Sequence, residues 1–174
     1  MKLRKTPKNQ SFHSPSLGKL SLNQVIQAVL NLMQKNPKDK FRLIIGTDSE
    51  AHGFENGREK GKADFVSAII WHHIGHGGRY FWQRYQIDKL KTLRQRIYQE
   101  VNFSLNLAQN VLAKLQKSDK EKILANLEIH VDAGQNGPTR DMLKEVIGMV
   151  RGYGFSCYTK PESFGASCVA DKHI

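Results

Sequence analysis

Phe41-Arg42-Leu43-Ile44-Ile45-Gly46-Thr47-Asp48-Ser49 is the stretch that decides the fold. From 41 to 47 it is almost continuously apolar, without the strict alternation of a half-exposed strand. It therefore reads as a central strand covered on both faces. It runs into a carboxylate, Asp48, and an acid at the end of a buried element is costly unless it is paired or metal-bound. The pattern recurs downstream, where Leu127-Glu128-Ile129-His130-Val131 leads into Asp132. Open α/β sheets bind ligands beyond the carboxyl ends of their strands. If these two strands are parallel neighbours, Asp48 and Asp132 meet there.

The flanking segments supply the rest of an α/β architecture. Ser21 to Gln24 resembles a capping box, and Val25, Ile26, Val29, Leu30 and Met33 follow at helical spacing, predicting a helix over 22–35 that Asn36-Pro37 stops. Residues 64–73 and 79–87, joined by the turn Gly75-His76-Gly77-Gly78, predict an antiparallel hairpin. Thr92 can cap a long helix to about residue 117, whose apolar stripe is Leu93, Ile97, Val101, Leu105, Ala108, Leu112 and Leu115. Glu100 lies on the flank of that stripe. Further expectations are a helix opened by Gly137-Pro138-Thr139, a strand over 155–158, and a short helix over 163–172 that carries Asp171. The segment 49–62 is Gly- and charge-rich and reads as a loop.

The 174 residues favour one domain, taken as 21–174, preceded by a basic, flexible arm or surface strap over 1–20. No apolar run reaches 18 residues, so no membrane span is expected, and MKLRKTPKNQ lacks the apolar segment of a secretory signal. Cys157 and Cys168 have no metal-ligand spacing and read as buried free thiols of a reducing cytoplasm. Lys and Arg number 27 against 16 Asp and Glu, a net charge of +11 that favours polyanionic partners. Four carboxylates brought together in so basic a chain suit a cluster that holds Mg²⁺ or Mn²⁺ against phosphate. Each acid alone also has a plainer reading. Asp48 and Asp132 suit strand-end turns or helix caps, Glu100 an ordinary flanking charge, and Asp171 a solvated acid.

Gly46-Thr47-Asp48-Ser49, Ile129-His130-Val131-Asp132, Gly152-Tyr153-Gly154-Phe155, and Lys160-Pro161-Glu162-Ser163-Phe164-Gly165-Ala166-Ser167 with Ala170-Asp171-Lys172 resemble the YkuK-type branch of the ribonuclease H-like family. The likeness runs from about residue 12 to the end, and its last segment is the most specific. It implies a five-stranded mixed sheet flanked by helices, three antiparallel strands followed by two parallel ones. It also implies acids on the first strand, the first sheet-covering helix, the fourth strand and the last helix, the places of Asp48, Glu100, Asp132 and Asp171. The activity implied is two-metal phosphodiester hydrolysis of RNA, DNA or a hybrid. One ion would lower the pKa of an attacking water, and the other would stabilise the leaving oxygen.

Lys160, Ser49, Gly134 and Thr139 are the candidate substrate contacts. Lys160 offers a point charge to phosphate and reads equally as a solvated lysine before Pro161, while Asp132-Ala133-Gly134 through Thr139 resembles a phosphate loop opening a helix, though a glycine-dependent strand-to-helix turn is the preferred reading. Asp48-Ser49-Glu50 also fits the spacing of proofreading exonucleases, but Ser167 stands where their last motif needs Tyr or His. His130, on the same face as Asp132, reads as a hydrogen-bonded core histidine or a partner that orients an acid. His72, His73 and His76 lack a matching ligand set, and His173 reads as solvated. Two further functions remain open: a nucleic-acid-binding module without significant catalysis, and a structural partner in a larger complex. Oligomeric state is not legible.

Overall fold

A computed structural model describes residues 11–35, 37–52, 54–55, 58–59, 61–88, 90, 92–135 and 139–174, with 54, 55, 58 and 59 described by backbone alone. Its centre is β3 (Phe41–Ala51), flanked on one side by β6 (Lys62–His73) and on the other by β8 (Leu127–Val131). β6 pairs antiparallel with β3 and with β7 (Gly77–Asp88). β8 runs parallel to β3, and β9 (Ser156–Tyr158) runs parallel to β8. These are the five strands expected, in the expected senses.

The sheet nevertheless has seven strands. β1 (Phe12–Ser14) and β2 (Gly18–Leu20) form a hairpin that attaches to the outer edge of β7 through His13 opposite Trp82. Residues 12–20 were expected within a flexible arm. They are ordered because Phe12, 2% exposed, is buried in the main core, and because His13 stacks on Trp82 at 4.9 Å. Residues 1–10 of that arm lie outside the described residues. The loop expected over 49–62 also differs. β3 continues through Asp48 to Ala51, and β4 (Phe54–Glu55) and β5 (Arg58–Glu59) pair as a small separate ribbon.

The alternation along β3 divides the molecule into layers. Leu43 and Ile45 face the main core, which gathers α1 (Leu22–Lys35), α2 (Leu93–Ala113) and α4 (Leu143–Gly152). The Ser21 hydroxyl accepts from the Gln24 N–H and Gln24 Oε1 accepts from the Ser21 N–H, so the expected capping box starts α1. Thr92 caps α2 through the Gln95 N–H. α2 stops at Ala113, short of the expected end, and a separate helix, α3 (Lys117–Leu124), begins after extended Gln116. Ile44 faces the opposite layer with Val66, Ala68, Ile70 and Ala170. That layer is the C-terminal segment, a π-helical turn over Gly165–Ala170 continued by a 3₁₀ turn over Asp171–His173.

Two glycines permit the segment to lie against the sheet. A Cβ at Gly46 would stand 2.7 Å from the Ala166 nitrogen, and one at Gly165 would stand 2.6 Å from the Ile44 methyl. Because Gly46 meets backbone, a methyl there cannot be absorbed by a rotamer change. Gly46→Ala is therefore expected to cost about 1–3 kcal/mol in urea unfolding, the usual range for overpacking. Unchanged stability would mean that the C-terminal segment is not held at this distance.

Candidate active site

The strand register brings the first two acids together. Thr47 pairs with Val131, so Asp48 and Asp132 are the next residues along two parallel neighbours. By alternation both lie on the face that the C-terminal segment covers, where that segment supplies Asp171. The Asp48 carboxyl is pushed up to about 7, first by burial and then by the charges of Asp132 and Asp171, although the Ser49 N–H bonded to its Oδ1 at 2.8 Å works the other way. Glu100 comes from the helical layer and is 2% exposed. Its carboxyl is pushed up to about 8 by burial and then by Asp48, with Asp132 adding to the effect. All four expected acids therefore share one electrostatic environment.

Specific side chains hold Glu100 there. The Ser49 hydroxyl donates to Glu100 Oε1 at 2.5 Å, and Arg96 donates to the Ser49 carbonyl at 2.6 Å and its hydroxyl at 3.1 Å. Arg96 was not foreseen from sequence. It lies four residues before Glu100 on the same helix, the spacing that puts two side chains on one face, and this was the available signal. Beneath the acids runs a buried hydroxyl chain. Ser104 donates to Thr47 Oγ1 at 2.8 Å, Thr47 meets Ser67 at 2.8 Å, and Ser67 meets the Tyr85 hydroxyl at 2.6 Å. This chain ties α2 to three adjacent strands directly below Glu100.

Asp171 is held by the segment around it. His130, 1% exposed, accepts the Gly165 N–H at Nδ1 (3.1 Å), which leaves Nε2 to donate to Glu128 Oε2 at 3.2 Å. Burial depresses the His130 pKa and favours this neutral form. His130 is thus the hydrogen-bonded core histidine anticipated. His173 corrects an expectation: it is half-buried, stacked on Trp82 with ring centroids 4.3 Å apart, and within 3.3 Å of the Tyr80 hydroxyl. These contacts pin the residues just beyond Asp171, which itself is exposed.

The candidate substrate contacts separate. Lys160 Nζ lies 3.0 Å from Asp132 Oδ2, at the acids themselves. Ser49 is engaged with Glu100 and Arg96. The Gly134 N–H donates to Thr139 Oγ1 at 3.3 Å, so Thr139 closes the turn as the plainer reading expected, while residues 136–138 lie outside the described residues. Glu50 is exposed and opposite Asp64 on β6. Cys157 is half-buried, with its thiol pushed up to about 11 by burial, but Cys168 is exposed, contrary to the expectation of two buried thiols.

Glu100 Oε2 and Asp132 Oδ1 are buried and have no hydrogen-bond partner among the described residues. An unpaired buried carboxylate oxygen is expensive unless a cation meets it. The donors are all oxygen, the set that Mg²⁺ and Mn²⁺ take. The acids present therefore fit divalent ions.

The family model described as ribonuclease H-like matches residues 24–174. The uncharacterized protein YkuK of Bacillus subtilis (strain 168) is 24% identical over 170 residues, covering 92% of this chain and 95% of its own. No solved structure matches. No helix among the described residues is long and apolar enough to cross a membrane.

Proposed function

Because the chain belongs to the ribonuclease H-like family, we propose that it is a metal-dependent nuclease that hydrolyses phosphodiester bonds of RNA, DNA or a hybrid. The observation that carries this reading is the convergence of four carboxylates with two buried oxygens, on Glu100 and Asp132, that lack partners among the described residues. Asp48 and Asp132 would be the central ligands, and Glu100 and Asp171 would each hold one of two Mg²⁺ or Mn²⁺ ions. When bound, such a pair supplies the charge that activates a water and stabilises the leaving oxygen.

The chain's own residues do the positioning. Ser49 and Arg96 fix the Glu100 carboxylate, and the hydroxyl chain from Ser104 to Tyr85 holds α2 at its height above the sheet. Lys160 pairs with Asp132 at 3.0 Å. Its exposed ammonium would also meet a phosphate oxygen of a substrate at the acids. Ser49, Gly134 and Thr139 are weaker substrate contacts, because their polar groups are already used within the site. The net charge of +11 draws a polyanion to the molecule. The unbridged thiols suit action in a reducing cytoplasm.

The Lys160–Asp132 pair also supports a second reading. A lysine that neutralises a ligand acid suits a nucleic-acid-binding module without turnover.

The test is cleavage of labelled single-stranded RNA, single-stranded DNA, duplex DNA, RNA–DNA hybrid and a four-way junction in Mg²⁺ and in Mn²⁺, with wild type and Asp132→Asn compared. Cleavage by wild type alone is the expected result and names the substrate class. Cleavage by both proteins points to a contaminant and removes the site assignment. Binding that weakens with salt, without cleavage, favours the binding module.

A further inference from the structure

At the end of the sheet away from the acids, three side chains from two turns converge. β6 ends at His73, and the turn that follows returns His76 over it. The His76 N–H donates to the His73 carbonyl at 2.9 Å, and Gly75 and Gly77 take the positive φ values, 83° and 87°, that this tight reversal needs. The two imidazoles lie 4.4 Å apart between centroids. Asp39 arrives from the turn before β3, because Phe41 pairs with His73 across the sheet. Its Oδ2 is 2.8 Å from His73 Nε2, and one ligand atom from each of Asp39, His73 and His76 lies within 4.8 Å of the others.

We propose that Asp39, His73 and His76 form a second metal site, one for Zn²⁺ or a similar first-row transition ion. The chemistry differs from that of the acid cluster. Imidazole nitrogens select zinc, nickel and copper, whereas carboxylate oxygens alone select magnesium and manganese. Around a tetrahedral ion with bonds of about 2.0–2.2 Å, donor atoms stand roughly 3.3 Å apart. The Asp39–His73 contact is already that close, and rotation of the exposed His76 side chain closes the rest. His73 is the fixed member, with a side chain 12% exposed and its ring 5.2 Å from that of Trp71. Three protein ligands leave a fourth position for water, so the ion would clip the β6–β7 turn to the turn before β3.

The histidines alone gave no ligand set in the sequence because the third donor is 34 residues before His73. The site is also remote from the nuclease reading. His73 pairs with Phe41 and Val66 with Asp48, a separation of seven residues or about 23 Å along the strands.

The experiment is Zn²⁺ titration of the metal-stripped full chain against a chromophoric chelator, in millimolar Mg²⁺ to occupy the acid cluster. Co²⁺ absorption bands serve as a second readout. Wild type and Asp132→Asn are expected to bind one Zn²⁺ equally well. His76→Ala and Asp39→Asn should each bind more than about tenfold more weakly, a loss already reached when only the outer partner of a metal ligand is removed, and should lose the Co²⁺ bands. His76 is exposed on its turn, so its replacement leaves the core untouched; matching melting curves without metal verify this. No Zn²⁺ binding in Mg²⁺ overturns the site. So does binding that Asp132→Asn weakens and His76→Ala does not, which would place the ion among the acids.

Discussion

Glu100→Gln is expected to lower divalent-ion-dependent cleavage by about a thousandfold and, in the same protein without metal, to raise the melting temperature. The two effects have one cause. Glu100 is 2% exposed, one of its oxygens has no partner among the described residues, and burial together with the Asp48 charge pushes its carboxyl up to about 8. A neutral carboxamide of the same shape keeps the hydrogen bond from Ser49. It removes the buried charge and offers N–H donors toward the acids beside it. At pH 8 this relieves on the order of a few kcal/mol of conflict. The same change removes an anionic oxygen from the proposed ion site, and a loss of about 4 kcal/mol in transition-state stabilisation corresponds to the thousandfold drop. Cleavage rates in Mg²⁺ and melting curves in chelator, both at pH 8, test the two halves separately. Wild-type turnover would exclude Glu100 from the machinery. A lower melting temperature would show that its charge is not the strained element.

What the sequence revealed of this site, and what it hid, follows from how far apart the determinants lie. Asp48 and Asp132 were legible because each follows a buried run, and parallel neighbours bring such ends together. Glu100 was legible as a helix residue off the apolar stripe, but α2 is buried more widely than that stripe. Gln99, Asn102 and Ser104 are also covered, and the Thr47 hydroxyl on β3 receives that of Ser104. Asp171 was legible as an acid on a short C-terminal helix, and the family likeness matched it to the same cluster. Its position depends on the Gly46–Ala166 approach and the His130–Gly165 bond, contacts between residues 120 and 35 positions apart that no local pattern records. The β1–β2 hairpin was missed for a related reason. Its strands are three residues each and mostly polar, and they exist because β7 offers them an edge and Trp82 a stacking surface.

Without metal, the folded protein should become less stable as pH rises from 6.5 to 8.5, the reverse of a protein held together by paired carboxylates. Asp48 and Glu100 titrate near 7 and 8 in the fold, against ordinary values of 3.8 and 4.5. Between those limits the folded chain binds more protons than the unfolded one, so stability falls with pH. The penalty is absent below the ordinary values, grows through the neutral range and levels off above 8. His130 and His173, whose pKa values burial lowers from 6.5, act in the opposite sense, but only below that value. Asp64, held low once Arg84 and His52 offset its burial, contributes stability lost only on the acid side of its ordinary value. The window above 6.5 thus belongs to the two site carboxylates, and the expected fall is on the order of 2 kcal/mol by urea unfolding in chelator. Saturating Mg²⁺ should abolish it, because a bound cation favours the charged carboxylates and draws their protons off in the fold. Glu100→Gln should shrink it, leaving the part due to Asp48. A flat or rising profile in chelator would mean that the four acids are not crowded enough to hold protons, and would remove the electrostatic basis for a cation site among them.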